Sequence, residues 1–211
     1  MLYKETIEPK TLELLIELQK ENLLSSFNLV GGTALALHLG HRKSIDLDFF
    51  TSEVFDLEEV KNMLIQKYDF KVSYSRSQTL KGFINGVKVN FIKFDYPHLY
   101  DCDTIDDVRL ESIPDIIAMK LLSITDNGSR IKDFIDIAYL SSQFSLEEML
   151  QFFVKKITNS NVMMPLKALT YFNDINFNES IVMLNVDFKW DKIANRLVDM
   201  TKEPNIIFEK L

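Results

Sequence analysis

The sequence predicts an α+β fold, with a mixed sheet and flanking helices in residues 1–108 and a mainly helical region over 109–211. Three observations predict it. Runs alternating apolar and polar residues with period 2 recur between amphipathic stretches up to about residue 91. Asn85-Gly86 lies between two such runs and is the strongest short hairpin signal a sequence can carry, so the sheet contains antiparallel pairing. Ser112-Ile113-Pro114-Asp115 and Ser145-Leu146-Glu147-Glu148 read as capping boxes, and helical periodicity dominates after them. No repeat, low-complexity tract or flexible linker separates the two regions.

Taken in order, residues 9–24 read as an amphipathic helix and 27–30 as a strand running into Gly31-Gly32, where glycine permits backbone angles closed to other residues. Thr33 reads as the N-cap of a helix over 34–39, and Gly40 as its C′ glycine. Residues 44–50 alternate so that Ile45, Leu47 and Phe49 point to one side of a strand and Asp46 and Asp48 to the other. A helix over 58–67, a strand over 70–75 and the hairpin over 80–91 complete the first region. In the helix after Ser112, a helical count places Lys120 among Ile113, Ile116, Ile117 and Ile124 on the apolar face. An ammonium there requires a carboxylate, a ligand phosphate or a path to water. In the next helix Lys132, Asp133 and Asp136 share a polar side opposite Ile131, Phe134, Ile135 and Ala138, which alone reads as a solvated face. Helices over 146–157, 164–174 and 190–202 follow.

The chemistry concentrates in residues 31–48. Two carboxylates at adjacent same-face positions stand roughly 6–7 Å apart at their Cα atoms, close enough to share a hard cation and mutually repulsive without one. Ahead of Asp46 and Asp48, the free N–H groups of a helix that follows a glycine turn would point at an anion. Arg42, Lys43 and the Ser44 hydroxyl lie between that cradle and the carboxylates, where they could contact phosphate oxygens. A lone Asp-x-Asp is commonly a solvated strand end, and a lone Gly-Gly commonly a turn. In this order and at this spacing they form the layout that holds a nucleoside triphosphate and its Mg²⁺.

Leu29-Val30-Gly31-Gly32-Thr33-Ala34-Leu35-Ala36-Leu37-His38, with Gly40-His41-Arg42-Lys43-Ser44-Ile45-Asp46-Leu47-Asp48-Phe49-Phe50, resembles the first motif of the AbiEii/AbiGii-toxin type of nucleotidyltransferase, within the DNA-polymerase-β-like superfamily. Lys120 and the run Lys132-Asp133-Phe134-Ile135-Asp136-Ile137-Ala138-Tyr139-Leu140 resemble that family's downstream lysine and its Lys-Asp-x-x-Asp helix. The resemblance covers about residues 10–145. It implies a nucleotidyltransferase-like sheet, Mg²⁺-dependent binding of a nucleoside triphosphate and transfer of a nucleotidyl group to an acceptor, with RNA such as tRNA among the acceptors of the wider group. It also implies the toxin half of a two-gene toxin–antitoxin or phage-defence unit, with an antitoxin encoded nearby. Carried over by residue, Gly31, Gly32 and Thr33 would hold phosphates, Asp46 and Asp48 a metal, and Lys120, Lys132, Asp133 and Asp136 would complete the pocket.

Two positions depart from the pattern. A third carboxylate, usual in the superfamily, would fall at Asn90 in the run 86–92. Asp95 is five residues on, facing the other side and roughly 17 Å away along a continuing strand, so the site carries one negative charge fewer. An arginine that the family often places before the Lys-Asp helix is Asn127 here, with Arg130 three residues later as its candidate replacement.

With 46% hydrophobic residues and 16 Phe among 211, the chain can bury a substantial core as one large domain or a domain with a helical extension. No stretch is long and apolar enough to span a membrane, Met1-Leu2-Tyr3-Lys4-Glu5 does not begin a signal peptide, and Cys102 is the sole cysteine. A cytoplasmic location with no membrane partner is expected. A net charge of −7 argues against nonspecific coating of nucleic acid, while a local basic surface from Arg42, Lys43, Lys81, Lys88 and Lys93 could guide one RNA acceptor. His38, His41 and His98 lack the spacing of a zinc site. Phe49, Phe50 and Phe55 read as core, and residues 96–100 as a surface loop.

Three functional classes are therefore in view. The first is a Mg²⁺-dependent nucleotidyltransferase. The second is a nucleotide-binding module that lost turnover with the third carboxylate, which Asn90 would explain. The third is an Asp-x-Asp glycosyltransferase, disfavoured by the glycine turn ahead of the carboxylates and by the short chain.

Overall fold

A computed structural model describes residues 1–211. The chain forms two units, one of residues 1–97 and 101–111, the other of residues 98–100 and 112–211.

The first unit carries seven strands in one sheet: β1 (Asn28–Val30), β2 (Leu47–Thr51), β3 (Lys71–Arg76), β4 (Thr79–Ile84), β5 (Val87–Lys93), β6 (Asp103–Ile105) and β7 (Val108–Leu110), ordered β3-β4-β5-β2-β1-β7-β6. Pairs β2·β5 and β1·β7 are parallel and the others antiparallel. Helices α1 (Pro9–Lys20), α2 (Gly31–Leu39) and α3 (Leu57–Tyr68) belong to the same unit. Alternation sends Leu80, Ile84, Val89 and Phe91 into a buried layer with Phe27 and Phe49. There Phe49 stacks on Phe91 with ring centroids 5.2 Å apart, and Phe27 meets Phe55 edge-on at 5.0 Å.

All three hairpins in this sheet turn through two residues with left-handed backbone, as the type I′ turn that matches strand twist requires. Asn85 and Gly86 have φ of 50° and 82°, Ser77 and Gln78 of 52° and 57°, and Asp106 and Asp107 of 52° and 64°. Only the first pair has the expected chemistry. At the second, the Gln78 side chain offsets the strain by accepting from the Phe55 N–H at 2.9 Å and donating to the Phe55 carbonyl at 3.0 Å.

Three sequence expectations shift here. The helix over 9–24 ends at Lys20, and Asn22–Leu24 form a 3₁₀ turn. Glu21 between them is extended, and its carboxylate accepts from Lys67 and the Tyr68 hydroxyl, both at 2.7 Å. The strand over 44–50 begins only at Leu47, so Ile45 is 65% exposed instead of facing the core beside Leu47 and Phe49. Phe49 is core, whereas Phe50 is half-buried on the opposite side of the sheet and packs on Phe94 at 5.2 Å.

The second unit is helical: α4 (Ile113–Asp126), α5 (Ile131–Leu140), α6 (Leu146–Lys156), α7 (Met163–Ala168) and α8 (Trp190–Lys202). The helix expected over 164–174 stops at Ala168, because Thr170, Tyr171, Phe172, Asn173 and Asp174 form a run of weak helix formers. Ser145 and Glu148 form a complete capping box at α6. At α4 only half the box exists. Ser112 accepts from the Asp115 N–H at 3.2 Å, but the Asp115 carboxylate turns away to accept from the Ser112 hydroxyl, the Leu99 and Tyr100 N–H groups and Lys156 Nζ. No helix is long and apolar enough to cross a membrane.

Asp115 and Lys156 are thus a fully buried ion pair at 2.5 Å that the sequence did not announce. Burial pushes the Asp115 carboxyl up, but the hydrogen bonds from Lys156, Ser112 and Leu99 outweigh it and hold the group below the usual carboxylate range. A carboxylate depressed in this way contributes its full stability above the unfolded value of about 3.9 and loses it as pH falls through the lower folded value. Asp115→Asn is therefore expected to cost about 3–5 kcal/mol at neutral pH, because a buried ammonium loses its carboxylate. The gap from wild type should narrow below about pH 4. Denaturant titrations at several pH values check this, and curves that stay parallel through that range would refute it.

Candidate active site

The site in the sheet unit is built by register. Val30 on β1 pairs with Asp48 on β2, and Asp48 pairs with Asn90 on β5. Directly paired residues point to the same side of a sheet, so Asp48 and Asn90 face together. Gly31 follows β1 at once and opens α2 with φ of +69°. A Cβ at Gly31 would stand 3.3 Å from Asp48 Oδ2. Glycine there supplies the left-handed backbone and lets a carboxylate lie against a helix N-terminus, whose partial positive charge favours it.

Thr33 is not the N-cap. The helix begins two residues earlier, and the Thr33 hydroxyl donates to the Asp46 carbonyl and lies 2.8 Å from Ser44 Oγ. Thr33 and Ser44 thereby tie α2 to the segment that carries Asp46. Gly32 has a different neighbour from Gly31: a Cβ there would meet Arg42 Nη2 at 2.6 Å. The Arg42 guanidinium occupies that space with the residue only 2% exposed, and it donates to the Lys43 carbonyl at 3.1 Å. Gly40 ends α2 with φ of 69°, as expected of a C′ glycine.

Asp46 stands just ahead of β2 and not within it, with Lys88 Nζ 3.8 Å from its Oδ2. Asp48 Oδ1 accepts from Asn90 Nδ2 at 2.7 Å. Asn90 is 5% exposed, and its Oδ1 is buried with no hydrogen-bond partner. The opposite amide orientation would set two oxygens against each other, so the bond to Asp48 decides which way the side chain points. A buried amide oxygen left unsatisfied costs about 1–3 kcal/mol.

The expected basic surface is rearranged. Arg42 is buried, and Lys93 lies on the other side of β5 from Lys88 and Asn90, where it pairs with Asp95. Lys43 donates to the Glu5 carbonyl at 2.5 Å. Lys81 and Lys88 do share the Asp48 face, because Lys81 pairs with Asn90 across β4 and β5.

The other candidate residues meet in the helical unit. Lys120 Nζ lies 2.5 Å from Asp133 Oδ1 and 2.7 Å from Asp136 Oδ2, with all three residues buried. The polar side read as solvated in α5 is thus buried at Asp133 and Asp136, because those carboxylates neutralise a lysine on the apolar face of α4. Asp133 Oδ2 also accepts from the Ser123 hydroxyl at 2.7 Å and lies 3.8 Å from Arg130 Nε. Lys132 points elsewhere and pairs with Glu179 at 3.5 Å. Of the partners that an apolar-face lysine could take, the structure shows carboxylates.

The seven-stranded mixed sheet with its flanking helices is a nucleotidyltransferase-like α+β fold, shared with the solved structures below. The sequence profile of the family described as nucleotidyl transferase AbiEii toxin, type IV TA system, matches residues 13–68 and 82–206. The chain belongs to this family of nucleotidyltransferases, as residues 29–50 and 120–140 led one to expect, and the glycosyltransferase alternative falls. An uncharacterized protein of Aquifex aeolicus (strain VF5) is 31% identical over 187 residues, 86% of this chain and 89% of its own length. MenT4, a nucleotidyltransferase toxin from Mycobacterium tuberculosis, shares the fold with a TM-score of 0.61 at 15% identity, over 92% of this chain and 82% of its own. JHP933 from Helicobacter pylori does so with a TM-score of 0.57 at 21% identity, over 93% and 92%.

Proposed function

We propose that the protein transfers a nucleotidyl group from a nucleoside triphosphate to an RNA acceptor such as tRNA, using Mg²⁺, as the toxin of a toxin–antitoxin or phage-defence pair. The observation that carries this reading is the row Val30, Asp48, Asn90, which sets a carboxylate against the start of α2 with Asp46 two residues upstream.

The donor set fits a hard divalent cation. Asp46 and Asp48 offer carboxylate oxygens, and the Asn90 Oδ1 is a buried amide oxygen with no partner, the kind of group a ligand completes. Bound Mg²⁺ would screen the triphosphate and polarise its α-phosphoryl group. The chain's own residues do the rest. Asp48 is held by Asn90 and needs no rearrangement, and the Thr33–Ser44 contact fixes the position of Asp46 relative to α2. Holding the acceptor hydroxyl in line with the α-phosphate supplies much of the remaining rate. The Lys120, Asp133, Asp136 cluster fastens α4 to α5.

The second reading, binding without turnover, is favoured by Asn90 itself. Incubating the protein with Mg²⁺, each α-labelled nucleoside triphosphate, and cellular RNA or protein separates the two. Label entering RNA supports the first reading, and Mg²⁺-dependent triphosphate binding without incorporation supports the second. Asn90→Asp is expected to raise turnover or leave it unchanged. It should also lower the melting temperature in chelator, because a new carboxylate faces Asp48, and Mg²⁺ should restore it. A large loss of turnover would show that the amide itself is required.

A further inference from the structure

The face of the sheet that carries Asp48 continues through β5 and β4 to the sheet edge at β3, and beyond the buried Asn90 it opens to solvent at Lys88, Phe83, Tyr74 and Arg76. One row of paired residues runs Tyr74 (β3), Lys81 (β4), Asn90 (β5), Asp48 (β2). The adjacent row runs Lys71, Phe83, Lys88 and reaches Asp46 through the Lys88 ion pair. A third begins Arg76, Thr79. All of these point the same way, opposite to the buried Leu80, Ile84, Val89 and Phe91. From Tyr74 to Asp48 the row spans three strand spacings, roughly 14 Å.

Two properties of this face are unlike a merely solvated sheet. Tyr74 is 47% exposed and Phe83 43% exposed, although each belongs to a row leading to the carboxylates. Around them stand Lys71, Arg76, Lys81 and Lys88, four cations on a chain whose net charge is −7. Asp69 pairs with Lys71 and Asp46 with Lys88, which leaves Arg76 and Lys81 flanking Tyr74. Open aromatic rings interleaved with cations on a sheet are what single-stranded polynucleotide requires: π-faces for bases and charges for the backbone. An acidic chain cannot bind such a strand broadly, so a local strip leading to the reacting centre is the arrangement that admits one end. The stretch 69–81, which supplies Tyr74, Arg76 and Lys81, lies outside the residues matched to the family profile.

We infer that the β3–β4–β5 face is the acceptor platform of the proposed reaction, binding a single-stranded polynucleotide end on Tyr74 and Phe83 and aligning its backbone along Arg76 and Lys81 toward Asp46 and Asp48. The inference rests on the nucleotidyl-transfer reading for its purpose but not for its test.

Anisotropy of a labelled single-stranded RNA, and of DNA of the same sequence, is measured over a salt series with the full chain and two double variants, Tyr74→Ala/Phe83→Ala and Arg76→Glu/Lys81→Glu. Triphosphate binding and melting temperature are measured beside them. The aromatic variant should bind RNA on the order of tenfold more weakly or worse. The charge variant should also reduce the slope of log affinity against log salt by roughly 0.7 for each phosphate it no longer neutralises. Both should bind triphosphate and melt as wild type does. Equal affinity for DNA would show a platform reading bases and phosphates alone, and a preference for RNA one that also reads the 2′-hydroxyl. RNA affinity within about twofold of wild type in both variants, or an effect that follows self-association through Tyr74 and Phe83, would overturn the inference. Failure of the wild type to bind triphosphate would count against the nucleotidyl-transfer reading and leave the RNA series to judge the surface.

Discussion

Replacing Asp48 with alanine is expected to lower label transfer on the order of a thousandfold or more, beyond the 10- to 100-fold that partners outside a metal's own ligand set typically cost. The reason is positional. Asp48 is the carboxylate that lies both against the start of α2, beside Gly31, and in register with Asn90. Stability should change little, because the loss of one acceptor for Asn90 Nδ2 costs about 1 kcal/mol and is offset by relief of repulsion from Asp46. Asp48→Asn separates shape from charge: it keeps an acceptor for Asn90 and should be as inactive as alanine. Single-turnover incorporation with saturating acceptor measures both, and turnover near wild type in either variant would remove Asp48 from the proposed site.

The second large effect is on stability. Lys120→Met leaves Asp133 and Asp136 buried within one cluster without the ammonium between them. Breaking a buried ion cluster in this way costs about 3–5 kcal/mol, and for a chain of this size lowers the melting temperature by roughly 10 °C. Adding Asp133→Asn and Asp136→Asn to Lys120→Met should recover much of the loss, since the uncompensated charge causes most of it. Thermal melts of the single and triple variants decide this. Lys120→Met that melts like wild type yet loses triphosphate binding would instead give the lysine the phosphate role that its motif implies.

Much of the sheet unit was legible because its signals are local. Asn85-Gly86 announced its turn, since the residues that tolerate two positive φ angles are few. Gly40 did the same at the end of α2. By contrast, β6 and β7 span three residues each and are joined by Asp106-Asp107, and neither their length nor their turn carries a period. What places β7 is long-range: Leu110 pairs with Leu29, and the Gln19 side chain donates to the Arg109 carbonyl at 2.8 Å and accepts from its N–H at 2.7 Å. The β3–β4 turn was hidden for a similar reason, because Ser77-Gln78 holds its backbone through Phe55, more than twenty residues earlier.

The candidate site divides along the same line. That Gly31, Asp46 and Asp48 make one layout was readable from order and spacing, and the place of Asn90 beside them came from the family resemblance. Which glycine does what was not. Gly31 stands against Asp48 and Gly32 beneath Arg42, and two adjacent glycines look alike until the neighbours of their Cα atoms are known. Thr33 had the composition of an N-cap, but a hydroxyl bonds to whichever acceptor lies nearest, and here that is the Asp46 carbonyl.

The sequence by itself determined the class of fold, the family and the side of its strand that Asp48 takes, because periodicity, turn chemistry and motif spacing act over a few residues and survive in one dimension. Only the tertiary structure decided that Lys120 meets Asp133 and Asp136, that Lys156 meets Asp115, and that Tyr74 and Lys81 stand in the row of Asn90 and Asp48. The physical reason is common to all three. A buried charge accepts any opposite charge that packing delivers, and strand register is set by the core behind the sheet, so neither choice is written near the residue that makes it.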